Sequence, residues 1–271
     1  MRKNKLSFLA ASIAMTLSVL ACNLGAAPQE NPVTPPPANA TESAPPVEPP
    51  TEMPQEDPAA AAGACANPYL PIVAGATWMY TLTGPVPDTF TRSILSVDAN
   101  GFTDQDSFGS GVTRQGTWGC ENGNLTANNP SSGSSASVDT EGTSVQFQTT
   151  AMSGVTLPAS INIGDSWIQS LTLEGTQTIS GTSYPASNQM TNTCTAAGME
   201  SVTVAAGTFD ALRVECQTTM IIGVTMNGNP IQTTLAFGAT SWYAMNIGLI
   251  KTVSTGSGMD STTELVSYSI P

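Results

Sequence analysis

The chain has 271 residues, of which 7 are basic, 20 are acidic and none is histidine, so its formal net charge is −13. A surface this acidic repels nucleic acid and anionic lipid headgroups, and neither is expected as a partner. The absence of histidine excludes Ser-His-Asp and Cys-His catalysis and histidine metal sites, which removes most classes of hydrolase.

The N-terminus has the pattern of a secretory signal. Arg2, Lys3 and Lys5 precede an uncharged apolar run from Leu6 to Leu20. This run is shorter than the roughly 20 residues that a spanning helix needs, so it predicts a signal peptide.

The end of the run, Val19-Leu20-Ala21-Cys22, resembles the lipobox of bacterial lipoproteins, whose cysteine is acylated and becomes the mature N-terminus. The resemblance implies a signal peptide over residues 1–21 and a lipid on Cys22. The protein would then be extracytoplasmic and anchored to the cell membrane or the outer membrane. An ordinary cleaved signal peptide and an uncleaved hydrophobic anchor are the alternatives.

Residues 22–64 differ abruptly in composition from the rest of the chain. After the cysteine they contain eleven prolines and six acids, with no basic and no aromatic residue. Such a segment cannot bury enough apolar surface to offset its ordering entropy, so we expect a disordered tether that holds a domain away from the membrane.

Residues 65–271 are expected to form one all-β domain. Short runs rich in Thr, Val, Leu and aromatics predict strands at 78–82, 91–97, 144–149, 166–173, 201–204, 212–219, 233–237 and 262–268. Asn-Gly pairs at Asn100, Asn122 and Asn227 predict tight hairpin turns between strands. The expected fold is an antiparallel meander that forms a curved sheet, a half-barrel or a sandwich.

The domain also shows signs of two similar halves. Gly75 and Trp78 recur as Gly164 and Trp167, each time at the start of a predicted strand, and Trp118 and Trp242 each lie late in a half. A loop from Asn128 to Ser137, rich in Ser and Asn, separates the halves. The alternative is that a glycine turn followed by a tryptophan simply packs well and occurs twice.

Besides Cys22 the sequence has four cysteines, which suggests two disulfides in an oxidising compartment. In a hairpin centred on Ala205, Cys194 and Cys216 are both eleven residues from the tip and face each other. Cys65 and Cys120 pair by elimination. No Cys-x-x-Cys spacing favours metal binding, and no metal is expected.

Three segments look like a recurrent, poorly characterised β-rich domain of bacterial lipoproteins: Tyr69-Leu70-Pro71 with the following Gly and Trp, residues 202–214, and Trp242-Tyr243-Ala244 with residues 248–251. The resemblance carries no established activity. The strand order it implies is similar to the curved half-barrel sheets of lipoprotein carriers.

Acidic and basic side chains offer few candidate sites. Asp98, Asp104 and Asp106 cluster around a predicted turn, and we interpret them as solvated turn residues because they lack the pattern of a calcium loop. Lys251 is the last lysine of the chain, and we interpret it as an exposed charge or a partner for a carboxylate. No catalytic residue is predicted.

Aromatic side chains are the remaining candidates for ligand binding. Trp242, Tyr243, Trp78 and Trp167 could line a groove for a sugar or a lipid, although tryptophans in a β domain are more often core residues. Adjacent strand residues point to opposite faces, so one of Trp242 and Tyr243 is expected outside the core.

These observations predict a membrane-anchored, non-enzymatic surface lipoprotein whose β domain binds a ligand or a protein of the cell envelope, without a cofactor. One alternative is a carrier of lipid or another hydrophobic ligand in a half-barrel pocket. Another is a hydrolase that uses carboxylates alone.

Lipidation is directly testable. A Cys22→Ser protein should take up no labelled fatty acid, because the substitution removes the thiol that the lipid would modify. Metabolic labelling followed by gel electrophoresis measures this, with the wild type as the control. Equal labelling of the two proteins would contradict the prediction.

Overall fold

The computed structural model describes residues 63–130, 138–140, 143–226, 228–256, 258 and 260–271, which form thirteen β-strands and no helix. The described part therefore contains no helix that is long and apolar enough to span a membrane. The predicted signal peptide, the lipidated Cys22 and nearly all of the predicted tether lie outside the described residues.

The strands are, in chain order, β1 (Thr77–Thr83), β2 (Asp88–Val97), β3 (Gly101–Phe108), β4 (Thr113–Glu121), β5 (Asn124–Asn129), β6 (Val138–Thr140), β7 (Thr143–Gly154), β8 (Ser166–Ile179), β9 (Thr182–Val204), β10 (Gly207–Met226), β11 (Asn229–Ala244), β12 (Gly248–Thr255) and β13 (Ser261–Ser269). They form one sheet in the order β5-β4-β3-β2-β1-β13-β12-β11-β10-β9-β8-β7-β6. Every pairing is antiparallel, so the predicted all-β antiparallel meander is confirmed.

The sheet is barrel-like and nearly closed, because its β5 end approaches β7 and β8. Leu125 forms an isolated antiparallel bridge with Leu157, just after β7. Ala127 of β5 donates its backbone N–H to the Thr156 hydroxyl (2.8 Å), and its carbonyl accepts from the Gln169 side chain (3.2 Å). These bonds satisfy backbone groups that an open edge strand would expose.

Of the three predicted Asn-Gly turns, the one at Asn122 forms as expected, the connection at Asn100 has no positive φ angle at Asn100 or Gly101, and Asn227 lies outside the described residues. At the β4–β5 turn, Asn122 and Gly123 have φ angles of 51° and 81°, the positive values that a tight hairpin turn requires. A Cβ atom on Gly123 would lie 2.4 Å from the Ala66 carbonyl oxygen. Glycine therefore also permits the start of the domain to pack against this turn.

The main core lies inside the sheet, where large side chains are buried with their polar atoms satisfied. Trp78, Tyr80 and Leu265 are 0–2% exposed. The Trp78 indole donates to the Ile247 carbonyl (2.7 Å), and the Tyr80 hydroxyl donates to the Leu249 carbonyl (2.8 Å). A smaller second cluster lies on the long strands β7 to β9 and comprises Phe147, Leu171, Leu173 and Ala186.

Strands β1–β5, the first half, are repeated structurally as β8–β12, the second half. The backbone N–H of Gly75 donates to Ile94 on β2 (2.9 Å), and that of Gly164 donates to Ala196 on β9 (2.8 Å). Both glycines have positive φ angles, 85° and 94°. The glycine and tryptophan spacing of the sequence thus corresponds to one local structure used twice.

The bulges of the sheet recur at matching places. The residue after Ile94 in β2 and the residue after Ala196 in β9 are both left without a cross-strand partner. A second bulge lies beside Trp118 in the first half and between Trp242 and Tyr243 in the second. By this register Trp118 corresponds to Tyr243, so matching Trp118 with Trp242 is off by one residue.

Both expected disulfides, Cys65–Cys120 and Cys194–Cys216, are present. The β9–β10 hairpin turns at Ala205–Ala206, because Val204 pairs with Gly207. A turn at that point would place the two hairpin cysteines one residue out of register. The unpaired residue after Ala196 removes this offset, so Cys194 pairs with Cys216.

Two residues that pair across β9 and β10 test how much burial in the core contributes to the free energy of unfolding. Leu212 is 1% exposed and its partner Met199 is 51% exposed. Leu212→Ala should lower the free energy of unfolding by about 2–5 kcal/mol, since it removes buried methyl groups and leaves a cavity. Met199→Ala is the control and should change it by about 0.5 kcal/mol or less. Equal effects in urea denaturation would contradict this assignment.

Candidate functional site

The four aromatic residues predicted to bind a ligand are not brought together. Trp78 is buried, and Trp167 packs against the main core with its indole donating to the Thr156 carbonyl (3.1 Å). Tyr243 pairs with the buried Leu212 and faces the interior. Trp242 is half-buried and also touches the main core, but it lies on the opposite face of β11, as the alternation along the strand requires. Of the four, Trp242 remains the candidate for an exterior site.

Trp242 belongs to a row of side chains that crosses four neighbouring strands. Arg213 on β10 pairs with Trp242 on β11, Trp242 with Lys251 on β12, and Lys251 with Glu264 on β13. Residues paired across a sheet point to the same face, so the four side chains are neighbours. We call this set the Trp242 row.

Hydrogen bonds and ion pairs fix the members of the Trp242 row. The Trp242 indole donates to Glu200 Oε1 (2.8 Å), which also lies 3.4 Å from Arg213 Nη1. Lys251 Nζ lies 2.8 Å from Glu264 Oε1 and 5.8 Å from the centroid of the Trp242 ring. Lys251 is thus a partner for a carboxylate, one of the two roles expected for it.

The row contains all the exterior basic side chains of the domain. Four basic residues follow Cys22 in the sequence: Arg92, Arg114, Arg213 and Lys251. Arg92 and Arg114 lie on strand positions that face the interior, whereas the other two flank Trp242. Their side chains are 39% and 27% exposed, so they remain in contact with water.

The first half shows what the fold itself requires at these positions. By the matched bulges, the places of Arg213, Trp242 and Lys251 are taken there by Thr103, Thr117 and Asn129, which pair in the same way. The repeated architecture therefore forms with small polar side chains at this row. The aromatic and charged residues of the second half are therefore not a requirement of the repeated architecture.

Sequence reasoning selected Trp242 but missed Glu200, Arg213 and Glu264 as its neighbours. These residues are far apart in the chain, with 64 positions between Glu200 and Glu264. The sequence feature that could have indicated them is the scarcity of basic residues, because two basic side chains on one exterior face are unusual in such a chain.

The interior holds a second charged cluster. Arg92 donates to both carboxylate oxygens of Asp106 (2.8 Å each) and lies 3.8 Å from Asp104. Both aspartates are 1% exposed, so interpreting them as solvated turn residues is wrong. Strand β3 already begins at Gly101, and alternate residues of β3 face the core opposite Arg92. Asp98 does lie in the turn, where it accepts from the Asn100 N–H (2.9 Å).

The charges of this cluster stabilise one another. Burial alone would lower the pKa of Arg92, but the adjacent Asp106 and Asp104 together outweigh it and the pKa is raised, so the guanidinium stays charged. Burial raises the pKa of Tyr80 and of Tyr243, and both phenols stay protonated. The pKa of Arg114 is lowered, because the effect of burial is larger than the opposite effect of the negative charge on Asp106.

The interior ion pair occupies the position that a disulfide occupies in the second half. Arg92 pairs with Asp106 two residues before the bulge of β2, and Cys194 pairs with Cys216 two residues before the bulge of β9. An ion pair and a covalent bond thus join equivalent strands at equivalent places. This indicates a structural role for Arg92 and Asp106.

Other features give weak support for a site. In the described part of the chain, no three His, Cys, Asp or Glu side chains are placed to hold a metal ion. A shallow depression of about 260 Å³ lies at the ends of β8 to β11 beside Ser187, Gly223 and Pro230. Ligand pockets usually measure about 300–1,000 Å³, so this depression is small for one.

A family model described as DUF3108-like matches residues 105–269, more than half of the chain. The chain belongs to the DUF3108-like family. The matched segment includes the whole Trp242 row and Asp106 but excludes Arg92 on β2. No curated protein matches the chain.

The DUF3108-like chain also resembles solved structures. A protein from Parabacteroides distasonis, described as a lipoprotein, is 15% identical with a TM-score of 0.50, covering 75% of this chain and 99% of that one. A protein from Bacteroides fragilis, described as exported with a YmcC-like fold, is 13% identical with a TM-score of 0.47, covering 74% and 98%. At these identities the likeness concerns the fold alone.

The two halves of this DUF3108-like domain suggest a test of the interior pair. Asp106→Ala should lower the free energy of unfolding by about 3–5 kcal/mol, because it leaves the Arg92 charge buried without its main partner. The double variant Arg92→Cys/Asp106→Cys copies the second half and should recover much of this loss through a new disulfide.

Urea denaturation of both variants, with and without a thiol reductant, measures the difference. Only the double variant without reductant should regain the lost free energy of unfolding. A double variant that is no more stable than Asp106→Ala under oxidising conditions would contradict the equivalence of the two positions.

Proposed function

We propose that this protein is an extracytoplasmic lipoprotein, anchored through Cys22, whose β domain binds a component of the cell envelope without catalysing a reaction. The lipobox-like Val19-Leu20-Ala21-Cys22 supports the anchor. The structural neighbours described as exported or as lipoproteins are consistent with this location.

The observation that carries the binding role is the composition of the Trp242 row. The fold is built twice, and at this row the first half has Thr103, Thr117 and Asn129. The second half has an aromatic ring between the two exterior cations of the domain. Trp and Arg are enriched among the few residues that contribute most of the affinity at binding surfaces.

The interior supports a binding role over catalysis by carboxylates. A glycosidase needs two carboxylates that face the substrate from either side of the scissile bond. Asp104 and Asp106 instead lie on one face of a single strand, 1% exposed, and both approach Arg92. Their chemistry is used within the protein.

A carrier is the second candidate, because apolar side chains form a row on the inner face of the long strands: Met152, Leu171, Met190, Met220 and Leu235. Methionine adapts its shape to irregular apolar ligands. Leu171 and Met220 are 2% and 1% exposed, so an acyl chain would have to separate packed strands to enter. The exterior row needs no such change.

In-cell photo-cross-linking tests the binding role. A benzophenone side chain at Thr240, two residues from Trp242 on the same face of β11, should give an adduct with an envelope component. The matched control is a benzophenone at the exposed Thr117, which takes the place of Trp242 in the first half.

The Thr240 adduct should fall at least tenfold when Trp242 is changed to Thr, the residue that the fold accepts at the matched position. No adduct at Thr240, or equal adducts at both sites, would contradict the proposed surface. Lipid that co-purifies with wild type and is lost in Met220→Glu would favour the carrier.

A further inference from the structure

We propose that the Trp242 row binds an uncharged saccharide chain. The inference rests on the proposed function and names the ligand class of that surface. It follows from the local charge balance, the hydrogen-bonding groups beside the indole ring and the open end of the row.

The charge balance disfavours an anionic ligand. Arg213 contacts Glu200 (3.4 Å) and Glu215 (3.5 Å), and Lys251 contacts Glu264 (2.8 Å). Two cations are thus matched by three carboxylates, which leaves no excess of positive charge for a phosphate or a sulfate. The chain as a whole carries −13, which repels anions at longer range.

The same groups suit hydroxyls. A sugar hydroxyl donates one hydrogen bond and accepts others, so it can bridge a guanidinium or ammonium and a carboxylate at once. Arg213 and Lys251, the strand partners of Trp242, supply donors, and Glu200, which accepts from the indole, supplies an acceptor. Bonds to charged groups are stronger than neutral ones, so a neutral ligand can still gain affinity here.

The indole provides a fixed, flat surface. Its Nε1–H bond to Glu200 sets the ring orientation before any ligand arrives, which lowers the entropic cost of binding. A protein interface would instead need a larger apolar centre surrounded by a polar rim. Within the row the indole is half-buried and the residues on either side of it are charged, so the apolar surface is small.

The row is open at one end, where a chain could continue. Gly198 on β9 pairs with Arg213 and extends the row by one strand. A Cβ atom on Gly198 would meet nothing within 4 Å, so this end presents backbone and empty space. Neighbouring strands lie about 4.8 Å apart, and several sugar rings could therefore follow one another across the strands.

Oligosaccharide binding by the full-length lipidated protein in detergent micelles tests the inference. The probes are neutral tetrasaccharides with different linkages, namely chitotetraose, cellotetraose, maltotetraose and mannotetraose, with inorganic phosphate and a sulfated tetrasaccharide as anions. Calorimetry should show saturable binding of at least one neutral probe and none of the anions.

Three variants locate the site. Trp242→Thr should weaken binding at least tenfold by removing the ring. Gly198→Leu should weaken it at least tenfold by filling the open end, with tryptophan retained and the melting temperature unchanged. Thr117→Ala, at the matched position of the first half, should bind like wild type.

The outcomes separate the two proposals. No binding of any neutral probe, binding unaffected by Trp242→Thr, or preference for the anions would overturn the saccharide inference. If the Thr240 cross-link then proves to be a polypeptide, the proposed binding function stands while the ligand class is wrong. If no cross-link forms either, both proposals fail.

Discussion

Register between neighbouring antiparallel strands is the constraint on which the structure depends. Side chains alternate between the two faces, so a shift of one residue would exchange the interior and exterior of a strand. The bulges provide such a shift at chosen places. After Ala196 the extra residue changes which β9 side chains face the core, and so brings Cys194 opposite Cys216. Between Trp242 and Tyr243, another bulge lies where exterior and interior aromatic residues are adjacent.

The two halves act as an internal comparison of what this fold requires and what it tolerates. At one cross-strand position they use an Arg92–Asp106 ion pair or a Cys194–Cys216 disulfide. The ion pair joins β2 to β3 and the disulfide joins β9 to β10, in both cases close to the bulge. This position therefore has a strong interaction between the strands in each half, but the interaction can be ionic or covalent. At the Trp242 row no such equivalence exists, because Thr117 has neither the size nor the charge contacts of Trp242. This difference, which the repeated architecture does not require, is the basis of the proposed binding function.

Sequence reasoning succeeded where the determining residues are close in the chain. Asn122-Gly123 defines its own turn, and the Cys194–Cys216 pairing follows from one hairpin. It failed for Asp104 and Asp106, because three nearby acids beside a turn resemble a solvated loop until the partner Arg92 is placed. The Trp242 row was also out of reach, since Arg213, Lys251 and Glu264 come from three further strands and become neighbours only through pairings set by the whole sheet.

The proposed exterior position of the ligand follows from how side chains fill the interior of the sheet. Trp78, Tyr80 and Leu265 occupy the barrel interior at 0–2% exposure, so a ligand gains little there without displacing core side chains. An exterior row with one indole offers few contacts and supports only modest affinity for each site. The proposed anchor would change this balance, because copies confined to a membrane through Cys22 would engage a repetitive partner together, and their avidity would exceed the affinity of one site. For a protein held at a surface in this way, a weak exterior site would be sufficient, and a polymeric ligand would use it best.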